Sequence, residues 1–389
     1  MARRAILSSR SSNFSRRVTE HGKRIRAACP QSGGGQKHMS GLSIIGTGHY
    51  VPGRPYSNQD LSRVLDTNDE WIRQRTGIAQ RYYCPEGQGV SDLALPAAQR
   101  ALEAAGKRPE DIDYILFSTM TPDHIFPGSG SLLAAKLGCP TIPAPDLRTQ
   151  CAASLYGFQI ADALLRADAA GCILVVGAEA HAGLMPWRDW DILEGTTERR
   201  PSPEDWDRAT RHRGWAIIFG DGAGALVLER HQSPGKGVIA VDIHSDGRFA
   251  SQLCIPAGFR TRPYLSAATL DGDASLLHMD GREVFKHAVT KLPKSILAVC
   301  QKAEVTVDQV DWFIAHQANA RINEAIASRL NVPMERMPSN IERFGNTSAA
   351  TIPILMDEMR RDGRIQPNQL ICVAALGAGF HWGSLLLRT

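Results

Sequence analysis

The sequence predicts an α/β protein built from two related halves, each with a parallel-rich sheet covered by helices. Short β-branched runs alternate with helix-like stretches, an order typical of such sheets. Three pairs of these runs share one offset of 198 residues. The paired runs are EDIDYILFST (110–119) and DQVDWFIAHQ (308–317), CILVVGAE (172–179) and LICVAALG (370–377), and LSIIGTG (42–48) and AVDIHSD (240–246). One offset shared by three pairs predicts an internal duplication.

A predicted helix precedes the first of these runs, EDIDYILFST. In LALPAAQRALEAAG the apolar residues return at helical spacing and share one face. They are Leu93, Ala97, Ala98, Ala101 and Ala105. The predicted halves are residues 41–232 and 233–389, with residues 1–40 as an extension ahead of them.

Composition is that of an ordinary soluble globular protein, with 43% hydrophobic and 22% charged residues among 389. No apolar run approaches the ~20 residues of a bilayer span, so no membrane segment is expected. Residues 1–38 hold nine Lys or Arg and one acid, which leaves 35 basic and 39 acidic residues over 39–389. Because the basic stretch contains a single aromatic residue, Phe14, no nucleic-acid partner is expected.

The extension rich in Ser, Gly and Arg is interpreted as disordered or as a false start upstream of Met39, with a transit peptide as the alternative. The eight cysteines form no CxxC pair and no Cys/His cluster with zinc spacing, so no metal site is predicted. We therefore expect a reduced, cytoplasmic protein, or a plastid protein if the extension is a transit peptide.

Cys151 is the candidate nucleophile. It lies in DLRTQCAASLYG (146–157), where a strand-like run meets a predicted helix. A helix N-terminus favours the thiolate, and the small residues after Cys151 let the helix approach closely. The offset of 198 places Ala349 as its counterpart, inside FGNTSAATIP (344–353). A buried structural cysteine is the alternative interpretation of this residue taken alone.

His316 and Asn346 are the candidate partners of this cysteine. His316 ends the run DWFIAH, and Asn346 lies near the corner that corresponds to Cys151. Taken singly, the histidine could cap a strand and the asparagine could be an N-cap or turn residue. Together the three suit acyl transfer from a thioester, with neutral donors that stabilise an enolate.

The chain resembles the 3-oxoacyl-[acyl-carrier-protein] synthase III family from Leu42 to the C-terminus. The motifs that carry the resemblance are DTNDEWIRQRTGI (66–78), HIFPGSGSLLAAKLG (124–138), FGDGAGALVLE (219–229), HQANARI (316–322), RFGNTSAATIP (343–353), DGRIQPNQL (362–370) and LGAGFHWGSLLLR (376–388). The resemblance implies the thiolase fold, a five-layer αβαβα sandwich of two related halves, and a homodimer.

The resemblance also implies a decarboxylating condensation. Cys151 would take an acyl group from acyl-CoA, and the carbanion formed from malonyl-acyl-carrier protein would attack that thioester to give 3-ketoacyl-carrier protein. His316 and Asn346 would hold the enolate oxygen. The backbone N–H groups of Cys151 and Ala378 would form the oxyanion hole. No cofactor is implied beyond the CoA thioester and the carrier protein's phosphopantetheine.

Further roles follow from the same resemblance. Phe126 would reach the partner subunit's acyl pocket, and Lys286 and Arg321 would dock the acidic carrier protein. The residues implied at the CoA-binding mouth are Thr67, Trp71, Arg75, Arg213 and Asn319.

Two departures from the family pattern bear on the oxyanion hole and on the choice of acyl donor. Ala378 stands where a glycine is common, which would cost about 1 kcal/mol if φ is positive there. Residues 185–212 form an insertion that predicts either a lid or docking element, or a solvated surface hairpin. A starter or chain-joining synthase, a silent scaffold subunit and a cysteine hydrolase remain as alternatives, whereas Leu376 disfavours a degradative thiolase, which needs a second cysteine there.

Overall fold

The structure, a computed structural model, describes residues 40–389, so the interpretation of residues 1–38 lies outside the described part. The strands are β1 Ser40–Tyr50, β2 Tyr56–Ser57, β3 Gln80–Arg81, β4 Tyr114–Ser118, β5 Asp146–Leu147, β6 Cys172–Glu179, β7 Gly222–Pro234, β8 Gly237–Ser245, β9 Leu253–Cys254, β10 His278–Met279, β11 Trp312–Ala315, β12 Leu370–Gly377 and β13 His381–Arg388. The α-helices are α1 Asn58–Leu61, α2 Asp69–Thr76, α3 Val90–Ala105, α4 Ser129–Leu137, α5 Ala153–Arg166, α6 Trp190–Glu194, α7 Pro203–Arg211, α8 Arg213–Ala216, α9 Ala267–Asp271, α10 Gly281–Lys302, α11 Ala320–Leu330, α12 Ile341–Phe344 and α13 Thr351–Arg361.

Two sheets with one topology dominate the described residues. The first has the order β1-β7-β6-β4-β5, and the second, read from its matching edge, has the order β8-β13-β12-β11. The paired strands β6 and β12 begin 198 residues apart, as do β4 and β11. The duplication predicted from the sequence offset is therefore present in the strand order. The boundary between residues 232 and 233 falls near the end of β7 and stays a prediction.

The sheets are less parallel than the sequence suggests. The pairs β4–β6 and β11–β12 are parallel, but β6–β7 and β12–β13 are antiparallel, as are β1–β7 and β8–β13. Only three residues, 378–380, connect β12 to β13. So short a connection can only reverse the chain, because a parallel crossover needs a dozen residues or more. The expectation of parallel-rich sheets was wrong in this respect.

Burial patterns place the helices in three layers around the two sheets. Alternate side chains of a strand face opposite sides, and on β6 Val175 packs against α5 while Val176 packs against α3. The inner layer, α5 and α13, shares one apolar cluster with both sheets. The outer helices α3 and α4 cover the first sheet, and α10 and α11 cover the second. The result is the predicted αβαβα sandwich, and the helical face predicted over Leu93–Ala105 lies on α3.

The insertion, residues 185–212, contains α6 and α7 and has its own buried anchor. Trp187 is 3% exposed, and its ring packs edge-on against Tyr83 at a centroid distance of 5.9 Å. Trp190 contacts the same tyrosine ring at 5.4 Å. Leu193 of α6 and Ala209 of α7 are fully buried in this cluster. The segment is therefore attached through a core, and its description as a purely solvated hairpin does not fit.

Removing this anchor should unfold the segment. We expect Trp187→Ala to lower the free energy of unfolding by about 3 kcal/mol or more, because a large buried aromatic side chain is replaced by a cavity. Trp206→Ala is the matched control: the same substitution in the same segment, at a ring that is only partly buried. Thermal unfolding of both variants checks this, and an equal loss in the two would contradict the assigned anchor.

Candidate active site

The candidate nucleophile lies where two helices begin. Cys151 belongs to a short 3-10 turn, Gln150–Ala152, which leads directly into α5. The matching turn of the second half, Ser348–Ala350, leads into α13. Gln150 and Ser348, 198 residues apart, both have a left-handed φ of 46°. The duplication thus aims two helix N-termini at the same buried point.

Burial controls the protonation of the Cys151 thiol. Cys151 is 8% exposed, and desolvation raises the pKa of its thiol to about 12. The Ser348 hydroxyl lies 3.3 Å from the sulfur and lowers that pKa in part. The sequence suggested that the helix N-terminus would ionise the thiol. Burial instead favours the protonated thiol at neutral pH, so attack by the sulfur requires a group that takes its proton.

His316 lines the same channel and is the candidate for that group. It follows β11, and its backbone N–H donates to the carbonyl of Ala374 at 2.8 Å. Burial lowers the pKa of its imidazole to about 3, so the ring is neutral at neutral pH. Neither ring nitrogen has a hydrogen-bond partner within residues 40–389. A neutral imidazole with both nitrogens free can accept one proton and donate another.

Asn346 is held rigidly by its neighbours. Its backbone N–H donates to the carbonyl of Ile218 at 2.9 Å, and its carbonyl accepts from the N–H of Gly220 at 3.1 Å. Its side-chain oxygen accepts from the N–H of Ser348 at 2.8 Å. Because the oxygen is occupied, the amide NH₂ is the end left to donate to a substrate. Gly345, which precedes it, has φ of 66°, a conformation that favours glycine.

One channel of about 250 Å³ joins these three side chains to the surface. Its walls are mainly apolar. Trp71, Arg75 and Asn319 line it together with Cys151, His316 and Asn346. The predicted catalytic set therefore shares one cavity with three of the predicted mouth residues.

At the mouth, two guanidinium groups cover one indole. The guanidinium carbon of Arg75 lies 4.3 Å from the centre of a Trp71 ring, and that of Arg213 lies 5.0 Å from it. Arg213 also donates to the backbone and side chain of Asp66 at 2.7 and 2.8 Å. In this arrangement a base cannot enter between Trp71 and Arg213 until the guanidinium moves. Asn319 donates to the carbonyl of Arg75 at 2.8 Å, which ties the two sides of the mouth together.

The remaining predicted residues lie outside the channel walls. Phe126 is 79% exposed in the loop after β4, and Lys286 lies exposed on α10, beside Glu283. Arg321 is exposed in the first turn of α11. Thr67 is partly buried, and its hydroxyl has no hydrogen-bond partner within residues 40–389.

The loop after β12 approaches the nucleophile without the strain predicted for it. The positive φ in this loop, 134°, falls at Gly379 and not at Ala378. The expected cost of an alanine at position 378 therefore does not arise. The demanding position is Gly377, where a Cβ atom would lie 3.0 Å from the backbone nitrogens of Cys151 and Ala152.

A side chain at Gly377 should displace the nucleophile. We expect Gly377→Ala to slow acyl transfer at least about tenfold, because a shift of the Cys151 backbone misplaces the attacking sulfur. Gly183→Ala is the control, since a Cβ there meets no atom within 4 Å. Single-turnover acylation rates test this, and a wild-type rate for Gly377→Ala would show that the contact is not needed.

Sequence reasoning missed two residues around the nucleophile. Ser348 contacts the sulfur, and the offset of 198 pairs it with Gln150, the only signal that pointed to it. Glu179 is fully buried and accepts from the hydroxyl of Thr121 at 2.7 Å and from the N–H of Ala349 at 3.3 Å. Burial raises the pKa of this carboxyl. It links the loop after β4 to the start of α13, and no sequence motif indicated that role.

Comparison with known proteins identifies the family of this chain. The family 3-Oxoacyl-[acyl-carrier-protein (ACP)] synthase III matches residues 145–197 and 198–247, and its C-terminal family matches residues 300–389. A beta-ketoacyl-[acyl-carrier-protein] synthase III of Cereibacter sphaeroides is 41% identical over 349 residues, 89% of this chain and 98% of the relative. One from Rhizorhabdus wittichii is 39% identical over 345 residues, with the same coverage.

Solved structures extend the comparison. The 3-oxoacyl-[acyl-carrier-protein] synthase III of Aquifex aeolicus has a TM-score of 0.76 at 34% identity, over 90% of this chain and 100% of that one. Fold and channel together define a condensing enzyme of the thiolase type. The chain belongs to the 3-oxoacyl-[acyl-carrier-protein] synthase III family.

Within residues 40–389, no helix combines the length and apolar character that a bilayer span requires. Nor does this part of the chain contain three or more His, Cys, Asp or Glu side chains grouped to hold a metal ion.

Proposed function

We propose that this chain condenses an acyl-CoA primer with malonyl-acyl-carrier protein, with loss of CO₂, to give 3-ketoacyl-carrier protein, the first condensation of type II fatty-acid synthesis. The observation that carries the proposal is the meeting of Cys151, His316 and Asn346 in one apolar channel. We assign the catalytic roles to these three residues.

Acyl transfer comes first. The thiol of Cys151 passes its proton to the neutral ring of His316 as the sulfur attacks the thioester carbonyl. The negative oxygen is held by backbone N–H groups, which we assign to Cys151 and Ala378. The CoA sulfur leaves with the proton from His316, and the acyl group stays on the enzyme as a thioester.

Condensation uses the same channel with different contacts. The thioester oxygen of the malonyl group accepts hydrogen bonds from His316 and from the free amide NH₂ of Asn346. Both groups are neutral, so they stabilise the developing enolate without protonating it outright. Loss of CO₂ leaves a carbanion that attacks the acyl thioester of Cys151. The sulfur of Cys151 leaves as a thiolate when the carbon–carbon bond forms, and a proton from solvent restores the thiol.

The substrates reach the channel through its mouth. We assign CoA binding to Thr67, Trp71, Arg75, Arg213 and Asn319. For the adenine to stack on Trp71, Arg213 must move away from the indole, since the two are already in contact. The indole face can stack on the adenine, and the guanidinium charge can pair with the phosphates of CoA.

We also infer two partners, the acyl-carrier protein and a second copy of this chain. We assign carrier-protein docking to the exposed cations of Lys286 and Arg321, because the carrier protein is acidic. Exposed Phe126, beside Ile125 at 54% exposure, supports a homodimer in which this loop enters the partner's acyl pocket. The proposed setting is the cytoplasm, and no cofactor besides the thioester substrates is proposed.

A starter synthase for another pathway is the second candidate. The priming β-ketosynthase of a polyketide biosynthetic pathway has a TM-score of 0.76 and 28% identity over 90% of this chain. The two candidates use the same triad and differ in the primer that they accept. Chain length of the preferred acyl group therefore separates them.

The experiment is a panel of acyl-CoA thioesters, of increasing length and branching, given to the purified protein before malonyl-acyl-carrier protein. Intact-protein mass reports loading, and the mass of the carrier protein reports condensation. We expect one acyl group per chain and a 3-ketoacyl-carrier product. Failure of every acyl-CoA to load would overturn the CoA-primed reaction, and loading without a carrier-bound product would overturn the condensation.

A further inference from the structure

The Ser348 hydroxyl lies beside the reacting sulfur and has no place in the mechanism above. Its oxygen is 3.3 Å from the sulfur of Cys151, and Ser348 is 1% exposed. This is the one side-chain hydrogen bond that the thiol makes within residues 40–389. Cys151 lines the channel, so substrate or water can reach one side of the sulfur, and the Ser348 hydroxyl contacts it from the protein side. This hydroxyl is therefore the side-chain group already placed to donate to a sulfur anion before substrate binds.

The second partner of the hydroxyl lets it change direction. Ser348 also lies 3.4 Å from the sulfur of Met120, which can accept its hydrogen. With Cys151 protonated, the thiol can donate to the serine oxygen while the serine O–H points to Met120. A thioether is a weak acceptor, and a thiolate is a strong one. The O–H is therefore expected to turn from Met120 to Cys151 when the thiol loses its proton.

The backbone of Ser348 indicates that the side chain has a purpose. Its φ of 46° lies in the left-handed region, where glycine costs less than any residue with a side chain. The N–H of Ser348 donates to the side-chain oxygen of Asn346, and glycine could make that bond equally well. The one contribution that glycine could not make is the hydroxyl. Gln150 has the same φ in the matching turn, so the contact of the hydroxyl with Cys151, and not the backbone alone, is what points to a role for this serine.

We propose that Ser348 is a further catalytic residue, whose hydroxyl donates a hydrogen bond to the sulfur anion of Cys151 while the acyl group is loaded. The proton of Cys151 passes to a ring nitrogen of His316: the S–H bond breaks, an N–H bond forms, and no other atom is exchanged. Once the sulfur is acylated it accepts only weakly, and the hydroxyl returns to Met120. The loading step rests on the proposed function, whereas stabilisation of the anion does not.

Ser348→Ala removes the hydroxyl and keeps the backbone N–H that orients Asn346. The readout is the rate at which iodoacetamide alkylates Cys151 across a pH series, followed by peptide mass so that other cysteines do not interfere. A charge-assisted hydrogen bond is the strong kind, so we expect alkylation at neutral pH to slow by about tenfold or more. The pH midpoint of alkylation is expected to rise. Decarboxylation of malonyl-acyl-carrier protein is expected to persist, because His316 and Asn346 keep their positions.

Two further variants keep the test decisive. Ser348→Gly also lacks the hydroxyl but relieves the strain of the left-handed backbone. It is therefore expected to fold well and to show the same rise in the pH midpoint of alkylation. Thr351→Ala removes another buried hydroxyl of the same segment, one that contacts Thr347 and not the sulfur. It is expected to leave the alkylation profile unchanged.

Profiles of Ser348→Ala and Ser348→Gly that superimpose on the wild-type profile would overturn the proposal. An equal rise of the alkylation midpoint in Thr351→Ala would also overturn it, since the effect would then be general to the segment. Alkylation needs no acyl-CoA. If the wild-type chain loads no acyl-CoA, the proposed function fails, and the alkylation profiles still decide the role of Ser348.

Discussion

Cys151→Ser is expected to abolish acyl loading from CoA, with a fall in rate of at least ~10³-fold. The alcohol keeps the size and position of the thiol, but its proton is far harder to remove. In wild type the buried thiol already has a pKa raised to about 12, so little further increase can be tolerated before attack becomes negligible. Intact-protein mass after incubation with the preferred acyl-CoA measures the loss.

Cys300→Ser is the matched control for that variant. Cys300 is also buried, but it lies on α10 in the outer layer over the second sheet and does not line the channel. We expect it to load acyl groups like the wild type, apart from any cost in stability. An acyl adduct that survives in Cys151→Ser would mean that another residue is the acceptor.

Asn346→Ala is expected to separate the two half-reactions. Loss of a single donor to a developing oxyanion typically costs ~10²–10³-fold in rate. The donor of Asn346 faces the malonyl thioester in our assignment, so condensation and decarboxylation should fall by that factor. Acyl loading should fall much less, because backbone N–H groups hold the oxygen in that step. Release of CO₂ and the mass of the acyl-enzyme measure the two steps separately.

A structural collapse at Asn346 would be distinguishable from this outcome. Asn346 also joins two segments through its backbone, whose bonds to Ile218 and Gly220 do not depend on the side chain. If loading and decarboxylation fall together by the same factor, the asparagine acts by shaping the channel and not by donating to the enolate.

Part of this site could be predicted from the internal duplication. The offset of 198 pairs the turn that holds Cys151 with the turn Ser348–Ala350, which follows Asn346, and each turn leads into a helix. Of the three candidate residues, His316 is the one that directly follows a strand, β11. The five-layer fold followed from the family motifs, and the layers of buried side chains agree with it.

Other features depend on contacts between residues far apart in the chain. The raised pKa of the Cys151 thiol reflects its burial, which its sequence neighbours do not report. The role of Ser348 depends on a left-handed backbone that is uncommon for serine. The buried attachment of the insertion rests on Tyr83, about 100 residues before Trp187 in the chain, and no local pattern could reveal it.

The shared inner layer has a consequence for how this protein unfolds. α5 belongs to the first half and α13 to the second, yet both lie in one apolar cluster with strands of both sheets. Cutting the chain between the halves would expose that cluster on each fragment and divide the catalytic residues between them. The two halves, although copies in topology, should therefore melt in a single cooperative transition, and neither should survive as an independent folding unit.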